Sequence, residues 1–134
     1  MVNEAEVRSA LAAAIAPASL DVVNFDRANY TSTVKTLSRR AALIGVHGAA
    51  LCNLIFLPPG SAVVEITISE VKTEFYFLAH SFGKIYFEHS SSVPMDEHLP
   101  DLRDRRINVS DFPGLSHLAA RAVSLVLSRA PSCC

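Results

Sequence analysis

Leu43-Ile44-Gly45-Val46-His47-Gly48-Ala49-Ala50-Leu51-Cys52-Asn53-Leu54-Ile55-Phe56-Leu57-Pro58-Pro59-Gly60-Ser61-Ala62-Val63-Val64-Glu65-Ile66 is the stretch on which the fold turns. Ala42–Val46 is short, apolar and continuous, the pattern of a strand buried on both faces. His47-Gly48-Ala49-Ala50 turns the chain into a helix that runs from Ala49 to about Phe56. Pro58-Pro59-Gly60 stops that helix, because proline cannot continue it. Ala62–Ile66 then reads as the next strand. Strand, helix, strand in this order implies parallel pairing.

The flanks continue the alternation. Asn3 and Glu6 make a capping-box-like start to a helix through Ile15, ended by Pro17. Leu20 to Phe25 carries β-branched residues and is predicted as a short strand. Thr31 or Ser32 is placed to cap a second helix, with Val34, Leu37 and Ala41 on one face. Thr73 to Phe82 reads as a helix with Gly83 at its C-terminal end, and Lys84–Glu88 as a strand. His89 to Arg106 is a polar loop, long for a compact domain. Ile107–Val109 is predicted as a short strand. Ser110 or Asp111 caps a last helix to about Arg129, in which Leu115, Leu118, Ala119, Ala122, Val123, Val126 and Leu127 recur at helical spacing. The expected architecture is a Rossmann-like, three-layer α/β domain over residues 1–130, with a mostly parallel sheet of about five strands. Residues 131–134 form a tail.

Composition bounds the function. The chain has 134 residues, is 50% hydrophobic and carries a formal net charge of −1. That is enough for one domain with a core, and it excludes a highly charged disordered segment. A near-neutral balance argues against nucleic acid as partner, since phosphate backbones call for a basic surface. The apolar run from Ala41 to Leu57 is broken by His47, Gly48 and Asn53 and does not read as a membrane span. The first residues are acidic and lack the basic region of a signal peptide. Of the three cysteines, Cys52 lies in the apolar run, as expected of a buried thiol, and Cys133 and Cys134 end the chain. No cysteine or histidine pair has metal-ligand spacing, and there is no Asp-x-Asp, so no metal or other cofactor is expected.

The turn after Val46 carries the chemistry. The first turn of a helix presents unpaired backbone N–H groups, and its dipole adds partial positive charge there. Gly48, Ala49 and Ala50 have almost no side chain, so an anion can approach the backbone. The turn lies at the C-terminal end of a parallel strand, where open α/β sheets bind their ligands. The turn is neither GxGxxG nor a Walker loop, and close packing of helix on strand is the competing account of its small residues.

His47, Gly48, Ala49, Leu51, Asn53, Phe56, Pro59, Gly60 and Glu65 match the signature of glycosyltransferase family 61, which the chain resembles. That signature is a strand, then His-Gly-Ala-Gly-Leu-Thr-Asn, an apolar helix, Pro-Gly and a strand ending in Glu. Phe75-Tyr76-x-Leu78-Ala79 followed by Gly83-x-x-Tyr86 adds weaker context. The family includes xylan-modifying transferases and N-acetylglucosaminyl- and xylosyltransferases of the secretory pathway. The resemblance implies the C-terminal, donor-binding half of a two-domain GT-B enzyme, binding a nucleotide sugar, UDP-linked, as a substrate without metal. It implies a secretory lumen as compartment, although no entry signal is legible.

The nucleotide-sugar site implied is His47, Gly48, Ala49, Ala50, Leu51, Cys52, Asn53 and Glu65. His47 would meet the donor phosphate or sugar, or else be a packed strand-end histidine. Asn53 would hold the loop or touch ligand. Glu65 would accept from ribose hydroxyls or orient the loop. Ala50 stands where the family has Gly, and Cys52 where it has Thr, a weaker donor in place of a hydroxyl. Arg39 and Arg40 read as a solvated helix-end pair rather than diphosphate ligands. No general base is assigned. The chain has room for one domain, so an N-terminal transferase half is expected as a partner. The alternative is a truncated, non-catalytic nucleotide-binding or interaction module.

Overall fold

A computed structural model describes residues 3–67, 74–91, 107 and 109–129. Its elements are α1 (Glu4–Ile15), α2 (Tyr30–Leu37), β1 (Ala42–Val46), a 3₁₀ helix (Ala49–Phe56), β2 (Ala62–Thr67), α3 (Glu74–Ser81), β3 (Ile85–Ser90), a 3₁₀ turn (Val109–Asp111) and α4 (Phe112–Arg129). The three strands form one parallel sheet in the order β1-β2-β3, with Ala42 opposite Ala62 and Ala62 opposite Ile85. This is the expected Rossmann-like α/β arrangement, with fewer strands than expected among the described residues.

The strand period of two divides the core. Ala62, Val64 and Ile66 of β2 face α1 and α4, where Val7, Leu11, Ile15, Leu115, Ala119, Ala122 and Val123 bury. Val63 faces the other way, onto Leu37 of α2, Leu51, Leu54 and Leu57, and Phe75 and Ala79 of α3. Helices therefore cover both faces, in three layers. Only β2 is buried along its whole length; β1 and β3 are half-buried edges. Burying each of Val63, Val64 and Ile66 contributes about 1.5–3 kcal/mol.

Four local expectations are corrected. Leu20 to Phe25 is not a strand: Asn24 Oδ1 accepts the Asp26 N–H at 3.0 Å, and this side-chain turn ends any extended run. The cap of α2 is Asn29, whose Oδ1 accepts the Ser32 N–H at 2.8 Å. Asn3 does not cap α1 with its side chain. Its amide instead clasps the backbone of Ile107, donating to the carbonyl at 2.7 Å and accepting the N–H at 3.1 Å. Ile107 is therefore fully buried but outside any strand, and Val109 starts the 3₁₀ turn. α3 ends as expected at Gly83, with Lys84 N–H bonded to the Ala79 carbonyl and Gly83 N–H to that of His80. Most of the predicted polar loop, with His98, Arg103, Arg105 and Arg106, lies outside the described residues, as do Cys133 and Cys134.

Candidate functional site

The segment after β1 is a 3₁₀ helix rather than an α-helix, and its leucines explain why. Leu51, Leu54 and Leu57 recur every three residues, the 3₁₀ period, and all three are buried. Gly45 makes room for this packing: a Cβ there would lie 3.0 Å from Leu51 Cδ2. The same period carries Cys52 outward, so this thiol is exposed rather than buried in the apolar run.

The geometry narrows the proposed cradle. The Leu51 N–H donates to the Gly48 carbonyl at 2.9 Å, so it does not face a ligand, and its side chain belongs to the core. Ala49 and Ala50 are the two positions whose N–H groups a 3₁₀ helix leaves without an intrahelical partner. Asn53 Nδ2 donates to the Ala50 carbonyl at 2.9 Å and so holds the turn. Gly48 has φ 155° and ψ 175°, a conformation essentially restricted to glycine. Nothing lies within 4 Å of the place its Cβ would occupy.

An open cleft of about 370 Å³ lies beside this turn, lined by His47, Gly48, Ala49, Cys52, Glu74, Phe75 and Leu78. Four predicted residues thus share one wall, and α3 supplies the other. Ala50, Leu51, Asn53 and Glu65 do not line it.

Glu65 sits behind the wall. It points to the α2–α3 face of β2 and is 0% exposed. His47 Nδ1 bonds its Oε1, and the Tyr86 hydroxyl donates to its Oε2 at 2.5 Å. Both carboxylate oxygens are therefore engaged, which supports the loop-orienting role over ribose recognition. Burial, and then the bond to Glu65, raises the Tyr86 phenol well above its ordinary range, so it remains a donor. The His47 ring also meets Phe75 edge-on, with centroids 5.2 Å apart. Arg40 pairs with Asp21. It precedes β1, whereas His47 follows it, and five strand residues span roughly 16 Å. Arg39 and Arg40 are thus at the far end of the sheet from the cleft.

Tyr86, Glu74, Phe75 and Leu78 were not legible as site residues. Tyr86 matched only as family context, and its role depends on register: Val63 stands opposite Tyr86 and Glu65 opposite Glu88, all on one sheet face. Among the described residues no group of three or more His, Cys, Asp or Glu is placed to hold a metal ion. No helix among them is long and apolar enough to cross a membrane.

A parallel α/β layer structure with a ligand-sized cleft at the C-terminal end of an outer strand defines the class of protein. The model of the family Glycosyltransferase 61 matches residues 1–64, which run from the N-terminus through α1, α2, β1 and the 3₁₀ helix into β2. This segment is similar to glycosyltransferase family 61, and the resemblance read from the motif is borne out. Among its relatives is the protein O-linked-mannose β-1,4-N-acetylglucosaminyltransferase 2 of Danio rerio, 34% identical over 76 residues, covering 57% of this chain and 13% of that protein. The proteins of the same name from Takifugu rubripes and Bos taurus are each 36% identical. The Takifugu match covers 49% of this chain and 11% of the relative, the Bos match 57% and 13%. The chain thus spans about an eighth of the length of the relatives it matches.

Proposed function

We propose that this chain is the donor-binding part of a glycosyltransferase, taking a nucleotide sugar in the cleft between the turn after β1 and α3. The observation that carries the reading is the turn itself. Gly48 and Ala49 bring backbone with almost no side chain to the cleft wall, at a strand end, with His47 fixed beside them. A diphosphate needs N–H donors and little bulk, and Ala49, without an intrahelical partner for its N–H, offers such a donor at the cleft wall. The alanine at position 50 and the thiol at position 52 keep the backbone donors of the turn.

The relatives are named as N-acetylglucosaminyltransferases acting on O-linked mannose. UDP-N-acetylglucosamine is accordingly the first donor to try, and transfer to a glycan is the reaction class proposed. On this reading the acceptor site belongs to a GT-B partner half, N-terminal to the donor domain. Calorimetric titration of UDP and UDP-N-acetylglucosamine into the full chain tests it. Saturable binding that is lost in a folded Gly48→Val variant is the expected result. Equal affinity in the two proteins would remove this turn as the phosphate site.

A further inference from the structure

The arrangement Tyr86–Glu65–His47 does more than fill the space behind the cleft. Glu65 is fully buried and accepts from two side chains on two different elements: the segment after β1, and β3. It holds one nitrogen of His47, Nδ1. The other, Nε2, has no hydrogen-bond partner among the described residues, and His47 lines the cleft. In a neutral imidazole one nitrogen carries the proton and the other a lone pair, and the partner of the first decides which is which. A carboxylate at Nδ1 places the proton there.

We infer that Tyr86 and Glu65 are positioning residues that fix His47 with Nδ1 protonated, so that Nε2 offers a lone pair to the cleft as the proton acceptor for a substrate hydroxyl. This rests on the donor-site reading above and deepens it. A neutral Nε2 accepts from a hydroxyl and has nothing to donate to a phosphate oxygen. Phosphate contact then falls to the backbone of the turn, and His47 is left for the sugar end. In glycosyl transfer the acceptor oxygen forms its bond to the anomeric carbon. The bond from that carbon to the diphosphate oxygen breaks, and its electron pair leaves with the nucleoside diphosphate. The hydroxyl proton passes to Nε2, and Glu65 stabilises the imidazolium that results. The phenol of Tyr86 occupies the second carboxylate oxygen and keeps the carboxylate from rotating away.

The titratable groups around the ring are Glu65 from β2, Tyr86 from β3, and Glu74 of α3 and Cys52 of the 3₁₀ helix, which share the cleft; Glu88 lies next to Tyr86 on its strand. Imidazole nitrogen shifts of ¹⁵N-labelled full chain test the inference. The expected result is a pyrrole-type Nδ1 and a pyridine-type Nε2 in neutral His47. Glu65→Gln should mix the two tautomers, because an amide can turn its NH2 as well as its carbonyl toward Nδ1. Tyr86→Phe, which preserves shape, should mix them to a smaller degree by freeing the carboxylate to rotate. Side chains that only pack would leave the tautomer unchanged in both variants. His47→Ala should weaken UDP-N-acetylglucosamine about tenfold and UDP much less, the size of one hydrogen bond. A neutral His47 protonated at Nε2, or an unchanged tautomer in folded Glu65→Gln, would overturn the relay. Failure of either nucleotide to bind, with the Nδ1–H tautomer present, would instead count against the donor site and leave the relay standing.

Discussion

Two side chains and one glycine concentrate the local consequences. Tyr86→Phe leaves Glu65 Oε2 buried without its donor. It should lower stability by about 1–3 kcal/mol, read as a shifted urea midpoint. The raised phenol pKa also sets a pH dependence. Above the ordinary value of 10.0 the unfolded chain gives up the Tyr86 proton while the folded chain keeps it, so stability falls as pH rises through that range. Lys84 acts in the opposite sense. Buried, with Nζ donating to the Leu57 carbonyl at 2.6 Å, its pKa is lowered by desolvation. Stability therefore rises with pH in the window just below its ordinary 10.5. The alkaline loss should be shallower in Tyr86→Phe than in the parent, and the difference between their urea midpoints from about pH 8 upward isolates Tyr86. At Gly48 a valine Cβ meets open space, so the penalty is conformational. Gly48→Val should cost about 1–3 kcal/mol and reshape the turn, with loss of UDP-N-acetylglucosamine binding by calorimetry while circular dichroism still reports a folded chain.

Among the elements, α2 and the 3₁₀ helix show how far pattern alone carries. The eight-residue α2 has little length to stabilise itself, and its Asn29 cap matters accordingly. Asn29→Ala should cost about 0.5–2 kcal/mol, measurable by thermal unfolding. Thr31 and Ser32 are equally good capping types on sequence. Asn29 prevails because the helix begins at Tyr30, which places Thr31 and Ser32 inside its first turn. The apolar run Ala49–Phe56 is helical as expected, but 3₁₀ spacing of Leu51, Leu54 and Leu57 against the sheet selects the tighter form. That choice removes the Leu51 N–H from the cradle and exposes Cys52.

Across the whole molecule, Asn3 ties the start of α1 to Ile107, 104 residues away, just before α4. The two helices pack together on one face of the sheet, and this clasp satisfies both backbone groups of a fully buried residue. Asn3→Ala should cost about 1–3 kcal/mol, seen as a lower urea midpoint, since it strands a buried N–H and C=O. A capping-box match at Asn3 and Glu6 was a local reading of a residue whose partner is distant. The predicted strand at Ile107 fails for the same reason: its backbone partner is a side chain, not a neighbouring strand.

What the sequence determined by itself is what rests on local pattern. The apolar run Ala42–Val46, the small residues of His47–Ala50, the stop at Pro58-Pro59-Gly60 and the strand Ala62–Ile66 specify a parallel α/β unit and its small-residue turn, and together they carry the resemblance to the family. Only the tertiary structure decided what that turn can do. Glu65 has two plausible roles on paper and two actual partners in space, and one of them, Tyr86, reaches it through strand register rather than spacing. The wall opposite His47, made of Glu74, Phe75 and Leu78, exists because α3 packs beside the 3₁₀ helix. Side chains that meet across a sheet face are set by pairing between strands, and no period along one strand encodes it.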